Sequence, residues 1–140
     1  IILLFIIAQF FGPEKNIGSM ESLTAFVEET KPSTEIQNLL SSACYDCHSN
    51  NTNYLWYSKI TPINYWMDSH IKEGKEKLNF SDWANYTVKR KKRKMEEVYE
   101  EVEKTHMPIS QYLITHSEAN LTDEDIEKIV GWAKEQHNNY

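Results

Sequence analysis

The apolar positions change rhythm several times along the chain. It opens on IILLFIIAQFF, an almost unbroken apolar run, and continues through GPEKNIGSMESLTAFVEETKPSTE, where Gly12, Pro13, Gly18 and Pro32 break any periodicity and a linker is expected. From Ser33 the spacing becomes helical: Ile36, Leu39 and Leu40 fall at i, i+3 and i+4, with Ser33 or Thr34 as cap and an end near Cys44. The Asn-rich and then aromatic stretch SNNTNYLWYSKITP reads as a loop returning to the core surface. Pro62 suits the first turn of a second helix, with Thr61 as cap, Gly74 as stop, and Ile63, Trp66, Met67 and His70 on one side.

A third helix is expected within NFSDWANYTVKRKKRKMEEVYEEVEKTH, capped by Ser81 or Asp82 and carrying Met95, Val98, Tyr99 and Val102 as its stripe. The fourth, LTDEDIEKIVGWAKEQ, has Thr122 as cap and Asp125 at the capping-box position. Its stripe is Ile126, Ile129, Val130 and Ala133, with Trp132 just beside it. No pair of alternating segments suggests strands, and no internal repeat is present, so the expected fold is all-α.

A chain of 140 residues accommodates one domain. Residues 1–32 are expected to be the end of a signal or anchor segment with its linker, and 33–140 the folded domain. The opening run is shorter than the roughly 20 residues of a membrane span, so it reads as part of a signal peptide or anchor helix. That places the protein in the periplasm or on the outer face of a membrane. The formal charge of −6 disfavours a general nucleic-acid binder. Within it, a basic block from Lys89 to Lys94 precedes an acidic one from Glu96 to Glu103, with Lys92/Glu96 and Arg93/Glu97 four apart. A solvated helix face is the simpler reading, and docking of an acidic partner or anionic headgroups the alternative. Four Trp, eight Tyr and five Phe indicate that something large and apolar is packed.

Both cysteines lie in Cys44-Tyr-Asp-Cys47-His48. Two thiols at this spacing can add to the two vinyl groups of a haem, and the adjacent histidine is then placed to ligate iron. A thioredoxin-like dithiol would come with a βαβ pattern, which is missing. A zinc site needs a second ligand pair from His70, His106, His116 or His137, and none stands at finger spacing. A Cys44–Cys47 disulfide would close too short a loop to stabilise much. For the second axial position, Met107 before Pro108 is the methionine without an obvious core role. His106 and His116 compete with it, and a thioether ligand would raise the potential relative to nitrogen. His70 is expected near the core and His137 in solvent.

Taken in order, CYDCHSNNTNYLWYSKITPINYW, EGKEKLNFSDW and MPISQYLITHSEANLTDEDIEKIVGW resemble the haem-binding domain family of bacterial c-type cytochromes, from about Ile36 to Trp132. The resemblance implies one haem c attached through Cys44 and Cys47, with His48 as proximal and Met107 as distal iron ligand. Trp56 and Tyr57 would line the haem edge or contact its propionates, and Leu78 to Trp83 would be scaffolding. A wider similarity to class I cytochromes c implies that the helix before the motif crosses the C-terminal helix. In that comparison Ile36 and Leu40 stand where a glycine and an aromatic are usual. The expected function is monohaem electron transfer with redox partner proteins rather than catalysis. The alternative is a haem sensor or peroxidase-like enzyme with an open or displaceable distal position.

Overall fold

The computed structural model describes Ile1–Tyr140. Its helices are α1 (Ile2–Ala8), α2 (Thr24–Thr30), α3 (Thr34–Ala43), α4 (Tyr45–His48), α5 (Ile63–Lys77), α6 (Val88–Glu103), α7 (Ser110–Leu113) and α8 (Asp123–Asn139). Turns of 3₁₀ helix occur at Met20–Leu23, Trp56–Lys59, Phe80–Asn85 and Ser117–Ala119. No strand forms, and the sole extended pairing is an isolated bridge between Ile17 and Asn51. The fold is all-α, as the sequence predicts.

The helix starts follow local chemistry. Ser33 caps α3, its hydroxyl accepting from the Ile36 N–H at 3.2 Å. At α8 the Thr122 hydroxyl accepts from the Asp125 N–H at 3.2 Å, and the Asp125 carboxylate accepts from the Thr122 N–H at 2.9 Å, closing the capping box. Helix α6 begins later than expected. Phe80–Asn85 forms a separate 3₁₀ turn, and Thr87 is the cap, accepting from the Arg90 N–H at 3.2 Å. Gly74 does not stop α5, which continues to Lys77.

Helix α8 packs along α6, joining Val102 to Ile129 and Val130, and its Trp132 and Ala133 share a larger core with Ile36 and Leu40 of α3. An ion pair from Lys128 to Glu35 at 2.7 Å ties α3 to α8 at the surface. The expected contact between these helices is therefore present, built on Ile36 and Leu40. The centre of the main core is aromatic. Phe26 is fully buried, with ring centroids 4.6 Å from Phe80, 5.2 Å from Trp83 and 6.0 Å from Trp132.

Several expectations need correction. The segment between the first apolar run and Ser33 is no linker, because Leu23 and Phe26 are core residues. In the basic run, Lys91 and Lys94 are buried on the inward side of α6, where they continue the Met95 stripe. Lys91 pairs with Glu29 at 2.6 Å and Lys94 with Glu97. Arg93 also meets Glu97, at 3.4 Å, while Lys92 and Glu96 form no ion pair. His137 is half-buried and bonded to the Lys92 carbonyl at 3.1 Å, not solvated.

The N-terminal anchor is not supported. No helix is long and apolar enough to cross a membrane. The expected placement in the periplasm or on the outer face of a membrane, drawn from a signal or anchor segment, is not shown by the structure. Gln9, which caps the C-terminus of α1, holds the run to the body of the protein: its side-chain amide accepts from the Thr61 N–H at 2.9 Å and donates to the Thr61 carbonyl at 3.2 Å.

Truncating Phe26 distinguishes a core element from a linker. Phe26→Ala is expected to destabilise the protein by about 3–5 kcal/mol in urea unfolding. A change within about 0.5 kcal/mol would return the segment to linker status.

Candidate haem site

The site begins where α3 stops. Cys44, at φ −127° and ψ −44°, leaves helical geometry, and the chain re-enters a single turn, α4. That turn closes on the Cys44 carbonyl, which accepts from the His48 N–H at 3.0 Å and the Cys47 N–H at 3.3 Å. Cys44, Cys47 and His48 are thereby brought onto one compact unit. The unit rests directly on α5: a Cβ added at Gly74 would lie 2.7 Å from the Cys47 carbonyl oxygen. Gly74 is needed for close approach, and a sequence reading that treats glycine as a stop signal misses this.

The orientation of His48 is fixed by one bond. Its Nδ1 lies 2.9 Å from the carbonyl oxygen of Leu78. A carbonyl only accepts, so Nδ1 carries the proton and Nε2 presents its lone pair. Burial lowers the His48 pKa, with the Leu78 bond and a neighbouring backbone bond opposing it, and so favours the neutral ring that a metal requires. Leu78 belongs to the stretch expected to be scaffolding, and its main-chain carbonyl is invisible to any reading by residue type.

The two cysteines are half-buried and form no disulfide. Burial raises the Cys44 thiol to about 12, with Cys47 adding to the shift, and raises the Cys47 thiol to about 11, with Asp46 adding to it. Thiols held this firmly neutral do not suit a redox nucleophile. No group of three or more His, Cys, Asp or Glu side chains is gathered to hold a metal ion, so the second zinc pair is missing. What remains is two unpaired thiols and a neutral imidazole with a free Nε2 on one turn, a donor set that fits haem.

The loop after the motif is locked from two sides. Asn16 donates from Nδ2 to the Ser49 carbonyl and to Thr52 Oγ1, both at 2.9 Å, and its own carbonyl accepts from the Thr52 N–H at 2.9 Å. Opposite, Ser81 Oγ accepts from the Asn50 N–H at 2.9 Å, and Asn79 Nδ2 donates to Asn50 Oδ1 at 3.0 Å. The former linker and the LNFSDW stretch thus hold the same loop.

Of the other predicted residues, Tyr57 is tied to Thr115 and His116, and Trp56 stays at the surface beside it. The Tyr57 hydroxyl accepts from Thr115 Oγ1 at 3.0 Å and lies 3.3 Å from His116 Nε2, while Trp56 is three-quarters exposed, edge-on to Tyr57 at 5.9 Å. His116 is buried and stacked on Tyr112, with ring centroids 3.9 Å apart. Tyr112 donates to Asp46 Oδ2 at 2.8 Å. Met107 lies in an exposed loop, its N–H donating to the Glu101 carbonyl at 3.2 Å. His106 is exposed beside it, with Nδ1 3.2 Å from Glu101 Oε2. His70 is half-buried on α5, its ring tilted by 41° against Trp66 at 4.2 Å, and the buried residue of that helix is Ile71.

An all-helical domain with this donor set is a haem-binding protein. The chain belongs to the haem-binding domain family, whose model matches residues 3–135. No curated protein and no solved structure matches it.

The two helical glycines of α5 and α8 predict opposite outcomes. Gly74→Ala should cost about 1–3 kcal/mol in urea unfolding and lower the haem absorbance per protein, because the new methyl group meets the Cys47 carbonyl. Gly131→Ala has nothing within 4 Å of its added carbon and should stabilise α8, by up to about 1 kcal/mol.

Proposed function

We propose that this protein is a monohaem c-type cytochrome that passes electrons to and from redox partner proteins, without itself catalysing a reaction. Its single haem is held through thioether bonds to Cys44 and Cys47, with His48 as the proximal ligand and Met107 as the distal one. The observation that carries this reading is the α4 turn, where two unpaired neutral thiols and an imidazole with its Nδ1–H committed to Leu78 are presented together.

When bound, the haem supplies a one-electron couple between ferrous and ferric iron. The protein's part is to hold geometry while charge changes. His48 is held by the Leu78 carbonyl from behind, which keeps its ring orientation and basicity constant. Gly74 and Asn16 prevent the turn and its following loop from shifting on their support. Met107 lies four residues beyond the end of α6, and the N–H groups of His106 and Met107 both donate to Glu101 O, at 2.9 and 3.2 Å. This short attachment limits how far the sulfur can travel. A thioether in the distal place excludes small ligands and raises the potential relative to nitrogen. His116 is committed to Tyr112 and Tyr57 and does not offer a free distal acid or base. Trp56 and Tyr57 complete the reading as haem-edge residues.

Two measurements test it. The mass of the denatured protein should equal the polypeptide plus one haem, and the bare polypeptide mass would overturn covalent attachment. The oxidised spectrum should show a thioether-to-iron band that disappears in Met107→Ala together with a fall in potential. A spectrum unchanged by that substitution would move the ligand to a histidine, and a high-spin ferrous form shifting at once with carbon monoxide would favour the sensor or peroxidase reading.

A further inference from the structure

The Met107 segment is fastened at two ends, and the second fastening reaches into the cysteine motif itself. At the first end, the Glu101 carbonyl near the end of α6 receives the N–H groups of His106 and Met107, at 2.9 and 3.2 Å. Between the ends the chain runs over the surface: Pro108 and Ile109 are half-buried, and Ser110 and Gln111 are exposed. At the second end, Tyr112 of α7 donates to Asp46 Oδ2 at 2.8 Å and lies 3.3 Å from the Ser42 carbonyl, a connection across 66 residues.

Asp46 sits between Cys44 and Cys47, and its direction is fixed. Its other oxygen, Oδ1, accepts from the Asn53 N–H at 2.8 Å. Tyr112 is equally constrained, because buried His116 stacks on it at 3.9 Å with the rings only 11° from parallel. Burial and the Asp46 carboxylate push the Tyr112 phenol above its ordinary pKa, so it remains a donor through the neutral range.

We propose that Tyr112 and Asp46 are positioning residues that tie the Met107 segment to the haem-binding turn and set how readily an external ligand replaces Met107. This rests on the reading of Met107 as the distal ligand. An incoming ligand must swing the segment outward. With α6 as the fixed end, the swing pulls Tyr112 away from Asp46, and a hydrogen bond to a charged acceptor resists it. Without that bond the outward position is reached at lower cost, and apparent affinity for the competitor rises in proportion to the population of the open form.

Imidazole titrated into the oxidised holoprotein, followed by the Soret band, tests this. Tyr112→Phe keeps the ring stacked on His116 and should bind imidazole about ten-fold more tightly than the parent. Asp46→Ala should match it, the double variant should add nothing further, and Asp46→Asn, which retains an acceptor oxygen, should fall between. Met107→Ala should bind most tightly of all. If Met107→Ala gains affinity while Tyr112→Phe does not, the tether is wrong and the ligand assignment stands. If Met107→Ala binds no more tightly than the parent, Met107 is not the ligand and both fall. Should Asp46→Ala fail to take up haem, Tyr112→Phe alone decides.

Discussion

The hydrogen bond from His48 Nδ1 to the Leu78 carbonyl is the constraint on which the site depends. A neutral imidazole has one N–H, and committing it to a carbonyl leaves Nε2 as the only possible metal donor. For that carbonyl to be there, α5 must run past Gly74 to Lys77, and Leu78 must leave the helix in an extended conformation, φ −150° and ψ 125°. Two residues on, Phe80 is buried against Phe26 at 4.6 Å and sits edge-on to His48 at 6.4 Å. The orientation of one ring at the site is thus held by aromatic packing that begins in α2.

Asn16 shows how much positioning a segment without regular structure can do. Beyond its bonds to Ser49 and Thr52, its N–H donates to the Tyr54 hydroxyl at 2.8 Å and its Oδ1 accepts from Lys75 at 2.8 Å. Each such bond contributes only about 1 kcal/mol net. Together they close the path of the chain on both sides of the loop, because the partners come from that loop and from α5. Gly18 adds its N–H to the Asn50 carbonyl at 2.6 Å. The same polar, Gly- and Pro-punctuated composition that makes a flexible linker can make a hydrogen-bonded clamp, and composition alone does not separate the two.

This limits what the sequence makes legible. The helical stripes of α3, α6 and α8, the capping box at Thr122 and the cysteine–histidine turn are local in sequence, governed by spacings of a few residues, and each is found where expected. The start of α6 is missed because Ser81 and Asp82 are also good caps, and nothing local ranks them below Thr87. Gly74, Leu78, Asn16 and the Asp46–Tyr112 pair are missed for a different reason. They act through backbone atoms or across long separations, and residue type carries no record of either. The buried Lys91 is a similar case, since its burial depends on Glu29 being brought to it from α2.

The aromatic load has two separate destinations. Phe26, Tyr45, Phe80, Trp83, Tyr86 and Trp132 build the protein's own core, so a good part of what composition suggests is a large apolar ligand is in fact the protein packing against itself. Trp56 stays exposed on the 3₁₀ turn, and Ile63, Tyr65 and Trp66 stay exposed on the first half of α5, two elements that pack against each other. The buried set fixes the support of His48, and the uncovered set lies outside that core. Aromatic content therefore points to haem only after the core has been subtracted from it.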